Sequence, residues 1–125
     1  MAGNTILTAA EEKLAELIWR EAPLGSMELV ALAQKELEWK KSTTFTVLRK
    51  LCDKGVFKNE NAVVSVLLTR SELLTRAAKR YVDETFGGSL PMFVTSFFGG
   101  KSIAKEQIAE LNRMIDAYEE GDASG

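Results

Sequence analysis

The chain has 125 residues, 46% hydrophobic and 27% charged, with a net charge of -2. That is the composition of one soluble globular unit, or of a small domain with an extension. It has no histidine and one cysteine, Cys52, which excludes histidine general bases, histidine-ligated metals, zinc and iron–sulfur sites and a disulfide framework.

No run approaches the ~20 apolar residues of a membrane span, and the opening M-A-G-N-T-I-L-T lacks a basic-then-apolar leader. The expectation is a cytoplasmic protein with no membrane insertion. Thr8 suits a helix N-cap, and Glu11 and Glu12 follow in the first turn, where acids complement the helix dipole. Leu14, Leu17, Ile18 and Trp19 give that helix its buried face, and Glu21 to Gly25 ends it with proline and glycine. Ser26 then caps a second helix, whose apolar residues are Met27, Leu29, Val30, Ala33 and Leu37.

After a break at Glu38 to Lys41 comes W-K-K-S-T-T-F-T-V-L-R-K-L-C-D-K-G, Trp39 to Gly55. Thr44, Val47, Leu48, Leu51 and Cys52 recur at helical spacing and form an apolar stripe. Ser42, Thr43, Phe45, Thr46, Arg49 and Lys50 form the other arc, flanked by Lys40, Lys41 and Lys54. Hydroxyls and guanidinium on an outer helix face are a plausible reader of base edges. By itself the arc reads equally well as a solvated surface. Gly55 sits where a helix-ending C′ glycine belongs.

Helix, short connection, helix, turn, helix is the helix-turn-helix layout. Val56 to Lys58 and Val63 to Leu68 are β-prone runs around Asn59 to Ala62, and so form a hairpin. Three helices and a hairpin make a winged helix, here with a weakly basic wing in which Lys58 is opposed by Glu60.

Ser71 caps a fourth helix, Ser89 a fifth containing L-P-M-F-V-T-S-F-F, and a sixth runs from Lys105 to Tyr118, with a frayed polar end from Glu119. Their apolar faces carry Leu73, Leu74, Ala77, Tyr81, Val82, Phe86, Met92, Phe93, Phe97, Phe98, Ile108, Leu111 and Ile115. A winged helix closes its core without them, and so much apolar surface calls for a cover. A second copy supplying the same helices is the economical cover, giving a symmetric dimer. It also places a second half-site roughly 34 Å along a duplex.

The expected fold class is mainly α: a winged helix-turn-helix over residues 1–70, then a three-helix dimerisation region over 71–125.

Charge follows the same division. Lys35, Lys40, Lys41, Arg49, Lys50, Lys54 and Lys58 face only Glu36, Glu38 and Asp53 in the centre, and the segment after Ser102 is acidic. Adjacent carboxylates such as Asp83-Glu84 diverge on a helix, and Gly87-Gly88 follows no strand. Neither an enzyme nor a cofactor is expected.

L-T-x-x-E at Leu7 to Glu11, Ile18-Trp19, P-L-x-S-M-E-L at Pro23 to Leu29, S-T-T-F-T-V-L-R-K-L at Ser42 to Leu51, L-L-T-R-S-E at Leu67 to Glu72, F-G-G-S at Phe86 to Ser89 and I-x-x-L-x-x-M-I at Ile108 to Ile115 occur in that order. Together they resemble the penicillinase-repressor family of winged-helix regulators, which includes the methicillin-resistance and copper-transport repressors. The resemblance implies a homodimer that binds an operator dyad, with the base-contacting helix on Ser42 to Lys54 and its threonines on Thr43 and Thr46. A family arginine is Lys50 here, a change in reading chemistry.

Some members are cleaved at an Asn-Phe bond on command of a membrane-bound β-lactam sensor, a protease partner whose target bond corresponds to Ser96-Phe97. Copper-responsive members carry C-x-C near the carboxy terminus, and this chain has none.

Lys40, Lys41, Lys54 and Lys58 are therefore expected on phosphates, and Ser42, Thr43, Phe45, Thr46, Arg49 and Lys50 on bases, with Phe45 either on a thymine methyl or packed inward. The alternative is a winged helix serving as a protein-interaction or dimerisation module. A small inducer bound around Phe93, Phe97 and Phe98 is a further reading, set against plain dimer core.

Overall fold

A computed structural model of the chain describes residues 7–99 and 104–124. The order is α1 (Ala9–Glu21), β1 (Leu24–Gly25), α2 (Ser26–Leu37), α3 (Lys41–Asp53), β2 (Phe57–Glu60), β3 (Val63–Val66), α4 (Arg70–Phe86), α5 (Leu90–Phe98) and α6 (Lys105–Ser124). The architecture is mainly helical with one antiparallel sheet, a winged helix followed by a helical region. Two compact units meet between Tyr81 and Val82, within α4.

In the first unit, α1 starts on a reciprocal cap. The Glu11 amide donates to Thr8 Oγ1 at 3.2 Å, and the Thr8 amide donates to Glu11 Oε1 at 3.0 Å. The second helix departs from expectation. Gly25 is its N-cap and Ser26 its first residue, buried, because the incoming chain is held extended as β1. The Gly25 amide donates to Glu28 Oε1 at 2.8 Å, so a side chain three residues on satisfies the amide of the N-cap residue itself, while no side-chain cap takes up the first-turn amides as expected of Ser26.

Met27 is 55% exposed rather than buried. The buried positions Ser26, Leu29, Val30 and Ala33 follow i, i+3, i+4, i+7, and Met27 lies about 100° off that stripe.

α3 ends in a Schellman motif. The Gly55 amide donates to Cys52 O at 2.9 Å and the Val56 amide to Leu51 O at 3.1 Å, with Gly55 at φ +78°. The hairpin is tighter than the sequence runs suggest. Glu60 pairs with Val63, leaving Asn61 and Ala62 as a two-residue turn with φ of 53° and 60°, the type I′ connection. β1 pairs with β3 through Leu24–Val64 and Gly25–Val63, giving the sheet order β1-β3-β2. The Ser26 amide donates to Ala62 O at 2.8 Å, which ties the wing turn to the start of α2.

Leu14, Ile18, Leu29, Leu48, Leu51, Val56, Phe57 and Val64 are the fully buried centre of this unit. Each such side chain contributes about 1.5–3 kcal/mol of burial. Trp19 closes one side: its indole Nε1–H donates to Leu68 O at 2.9 Å, its ring meets Phe57 at 5.5 Å, and the Arg70 guanidinium lies 5.1 Å above it. α4 is capped by Thr69, not Ser71. The Glu72 amide donates to Thr69 Oγ1 at 3.1 Å and the Thr69 amide to Glu72 Oε1 at 2.9 Å, repeating the reciprocal cap of α1.

In the second unit Ser89 caps α5, accepting the Met92 amide at 3.2 Å, and Gly99 ends it at φ +56°. Phe86, Phe93, Phe97 and Phe98 form a chain of edge-to-face and tilted rings with centroids 5.7–6.2 Å apart. α6 continues to Ser124, beyond the expected stop at Tyr118. Each added residue extends the backbone ladder by one bond, and Gly121 disfavours this by only about 1 kcal/mol relative to alanine.

Candidate nucleic-acid interface

α3 carries the arc singled out in the sequence. Thr44, Val47, Leu48 and Leu51 are buried against the core, and Cys52 is half-buried beside them. Ser42, Thr43, Thr46, Arg49 and Lys50 are exposed. At 3.6 residues per turn those five fall within an arc of about 120°. The arc contains two hydroxyls at its start, a third one turn on, and guanidinium and ammonium beyond. Asp53 ends the arc on the same side, exposed, so the face becomes less hospitable to phosphates towards its carboxy end.

Phe45 borders the arc and is half-buried against the core cluster, the inward packing of the two arrangements expected for it. Thr46 Oγ1 donates to Ser42 O at 2.9 Å, fixing its rotamer while its lone pairs and methyl stay outward. Lys40 is the N-cap residue and supplies no side-chain cap, and the first turn holds no acid. The amino end of α3 thus combines first-turn amides, the positive end of the helix dipole, and exposed Lys40 and Lys41.

Two of the lysines expected on phosphates have internal partners. Lys54 Nζ lies 2.6 Å from Glu11 Oε1, with the two side chains only 19% and 4% exposed. Lys58 Nζ lies 3.5 Å from Glu60 Oε1 on the wing, both exposed. Burial pushes the Glu11 carboxyl up, but the Lys54 hydrogen bond, the Thr8 amide and the charges of Lys54 and Lys50 outweigh it and leave it below the usual carboxylate range. Burial, then Asp53, push the Cys52 thiol up against an opposing Asn59 backbone hydrogen bond, so it stays protonated at neutral pH.

The buried pair was hidden in the sequence. L-T-x-x-E announces the cap of α1, but nothing local connects Glu11 with a lysine 43 positions away.

The expected dimer residues divide into several groups. Leu73, expected on the dimer face, is instead buried in the core cluster of the first unit. Leu74 and Tyr81 are exposed and Ala77 is half-buried. In the second unit Val82, Phe86, Phe93 and Phe98 are half-buried, whereas Met92, Ile108, Leu111 and Ile115 are exposed and Phe97 is 72% exposed. Phe97, Phe98, Ile108, Leu111 and Met114 line an apolar groove of about 430 Å³.

A model of the penicillinase repressor family matches residues 7–117, from the cap of α1 into α6. The chain belongs to the penicillinase repressor family. It is 20% identical over 116 residues to the penicillinase repressor of Bacillus licheniformis, covering 90% of this chain and 91% of that protein. It is also 21% identical over 122 residues to an uncharacterised 16.5 kDa protein of Latilactobacillus sakei, covering 94% and 84%. Family membership assigns the chain to transcription regulation, as a repressor. Among the described residues no helix is long and apolar enough to cross a membrane.

Proposed function

We propose that this penicillinase-repressor family member is a homodimer that represses transcription by binding an operator dyad, with α3 of each protomer in a major groove. The observation that carries the reading is the division of α3 into a buried apolar face and an exposed hydroxyl and basic arc, opening at a lysine-flanked amino end. In this reading Ser42, Thr43, Thr46, Arg49 and Lys50 read bases, and the amino end with Lys40 and Lys41 holds phosphate, as recognition helices do with their first turns. Lys58, beside Glu60, adds little.

The second unit supplies the dimer. Ile108, Leu111, Ile115 and Tyr118 repeat at three- and four-residue spacing on α6 and are all exposed within the protomer, the pattern of a helix seam awaiting a partner. A sensor protease acting near Ser96-Phe97 is the releasing partner that the family resemblance offers.

The test is selection of duplexes from a random pool by the purified protein. The expected result is an inverted repeat whose half-sites are one helical turn apart, with affinity falling steeply as salt rises. The internal pairing of Lys54 and Lys58 favours a second reading, a winged helix used for protein interaction. A confirmed dimer that retains no duplex even at low salt would establish that reading over the first.

A further inference from the structure

The most deeply buried charge in the described first unit lies off the reading face. Glu11, 4% exposed, is the third residue of α1, and its carboxylate accepts both the Thr8 amide at 3.0 Å and the Lys54 ammonium at 2.6 Å. Lys54 is the C-cap residue of α3. One carboxylate therefore joins the amino end of α1 to the carboxy end of α3. Each helix dipole there meets a charge of opposite sign, acid at the positive end and lysine at the negative end.

The same carboxylate is within electrostatic reach of Lys50. Lys50 and Lys54 are four residues apart on one side of α3, so without Glu11 they would repel each other across a single turn.

Building on the DNA-binding reading, we infer that Glu11 is a positioning residue for α3, acting through Lys54: their ion pair fixes the angle and depth at which the reading arc is presented, and Lys54 is not a phosphate contact. α3 has 13 residues and so is about 20 Å long. Thr44, Val47, Leu48 and Leu51 seat it on the core, this pair ties its base, and no side chain caps its tip, so loss of the pair lets the helix tilt about its core contacts and moves Ser42 and Thr43. A shift of that kind degrades base contacts, which demand fixed geometry, more than phosphate contacts, which long side chains can follow.

The experiment compares the full-length wild type with Glu11→Gln, Lys54→Met and the double variant. It measures affinity for the selected operator and for random duplex at several salt concentrations, with the folded fraction of each protein determined by urea denaturation. The ratio of the two affinities is the decisive readout, because lost stability lowers both affinities by one factor and leaves their ratio unmoved.

The expected result is that each single variant loses about tenfold in that ratio, the scale of base contacts weakened but not lost in the two half-sites. Its salt slope should be unchanged, and the double variant should lose no more than the worse single. An unchanged ratio in both single variants would overturn the proposal, leaving the pair as a fastening of the fold. So would a salt slope lowered by about one per protomer in Lys54→Met alone, the signature of a lost phosphate contact. If the wild type itself shows no preference for any duplex, the DNA-binding reading fails first and takes this inference with it; a wild type that discriminates beside variants that equal it refutes this inference alone.

Discussion

Two left-handed residues bracket α3, and exchanging their chemistry should change stability in opposite directions. Glu38, the C-cap of α2 in the turn leading into α3, has φ 58° and ψ 35° and is exposed. Gly55, just past the end of α3, has φ +78°, and a Cβ added there would meet nothing within 4 Å. An L-residue in this region costs about 1–2 kcal/mol. Glycine avoids that cost but gives back about 0.4–1 kcal/mol through the greater freedom of the unfolded chain.

Glu38→Gly should therefore stabilise by about 0.5–1 kcal/mol, since the bonds it leaves intact, Glu38 amide to Gln34 O at 3.1 Å and Trp39 amide to Ala33 O at 3.3 Å, belong to the backbone. Gly55→Ala should destabilise by about 1 kcal/mol through backbone strain alone, there being no clash to add. For a unit of this size 1 kcal/mol corresponds to about 4–8 °C in Tm. Urea midpoints read at one fixed protein concentration, with equal m-values, would measure both. A Glu38→Gly variant less stable than wild type, or a Gly55→Ala variant equal to it, would refute the reasoning.

Leu51→Ala, at a fully buried position where α3 meets the core, should cost about 2–5 kcal/mol in the same urea assay. The Glu11 carboxyl lies below its ordinary value in the folded chain. The stability it contributes is thus complete above the unfolded value and is lost as pH falls through the folded one. A plot of stability against pH below about 5 should accordingly be flatter for Glu11→Gln than for wild type. Ile115→Glu, which puts a charge in the exposed seam of α6, should shift sedimentation equilibrium from dimer to monomer at micromolar protein while leaving the circular dichroism of the winged helix unchanged.

The periodicity of the chain was enough to give the helix order, the hairpin and the two faces of α3, because each depends on neighbours within a turn or across a short loop. Caps were legible only in part. T-x-x-E occurs at Thr8 to Glu11 and again at Thr69 to Glu72, and the second reciprocal cap displaced Ser71 because a hydroxyl and a carboxylate together satisfy two amides where a lone serine satisfies one.

Adjacent apolar residues were the weak point. Met27 beside Ser26, and Leu74 beside Leu73, lie about 100° from their neighbours, and only packing decides which turns inward. β1 carries turn residues and owes its strand character to the open edge of β3. Long-range charge pairing left no trace at all. By sequence Lys54 is one more lysine beside a reading face; only the fold brings Glu11 against it.

The central claim, that α3 reads base edges, is tested most directly by replacing Arg49 and Lys50 together with alanine and measuring equilibrium affinity for the selected dyad and for random duplex in one buffer. Both side chains are exposed and outside the core, so the fold should be unaffected. A good base contact contributes about 1–3 kcal/mol of discrimination, and a two-fold symmetric complex makes each contact twice. The account predicts that preference for the dyad over random duplex is abolished while weak, salt-sensitive binding to any duplex persists. A double variant that keeps the wild-type preference would contradict it.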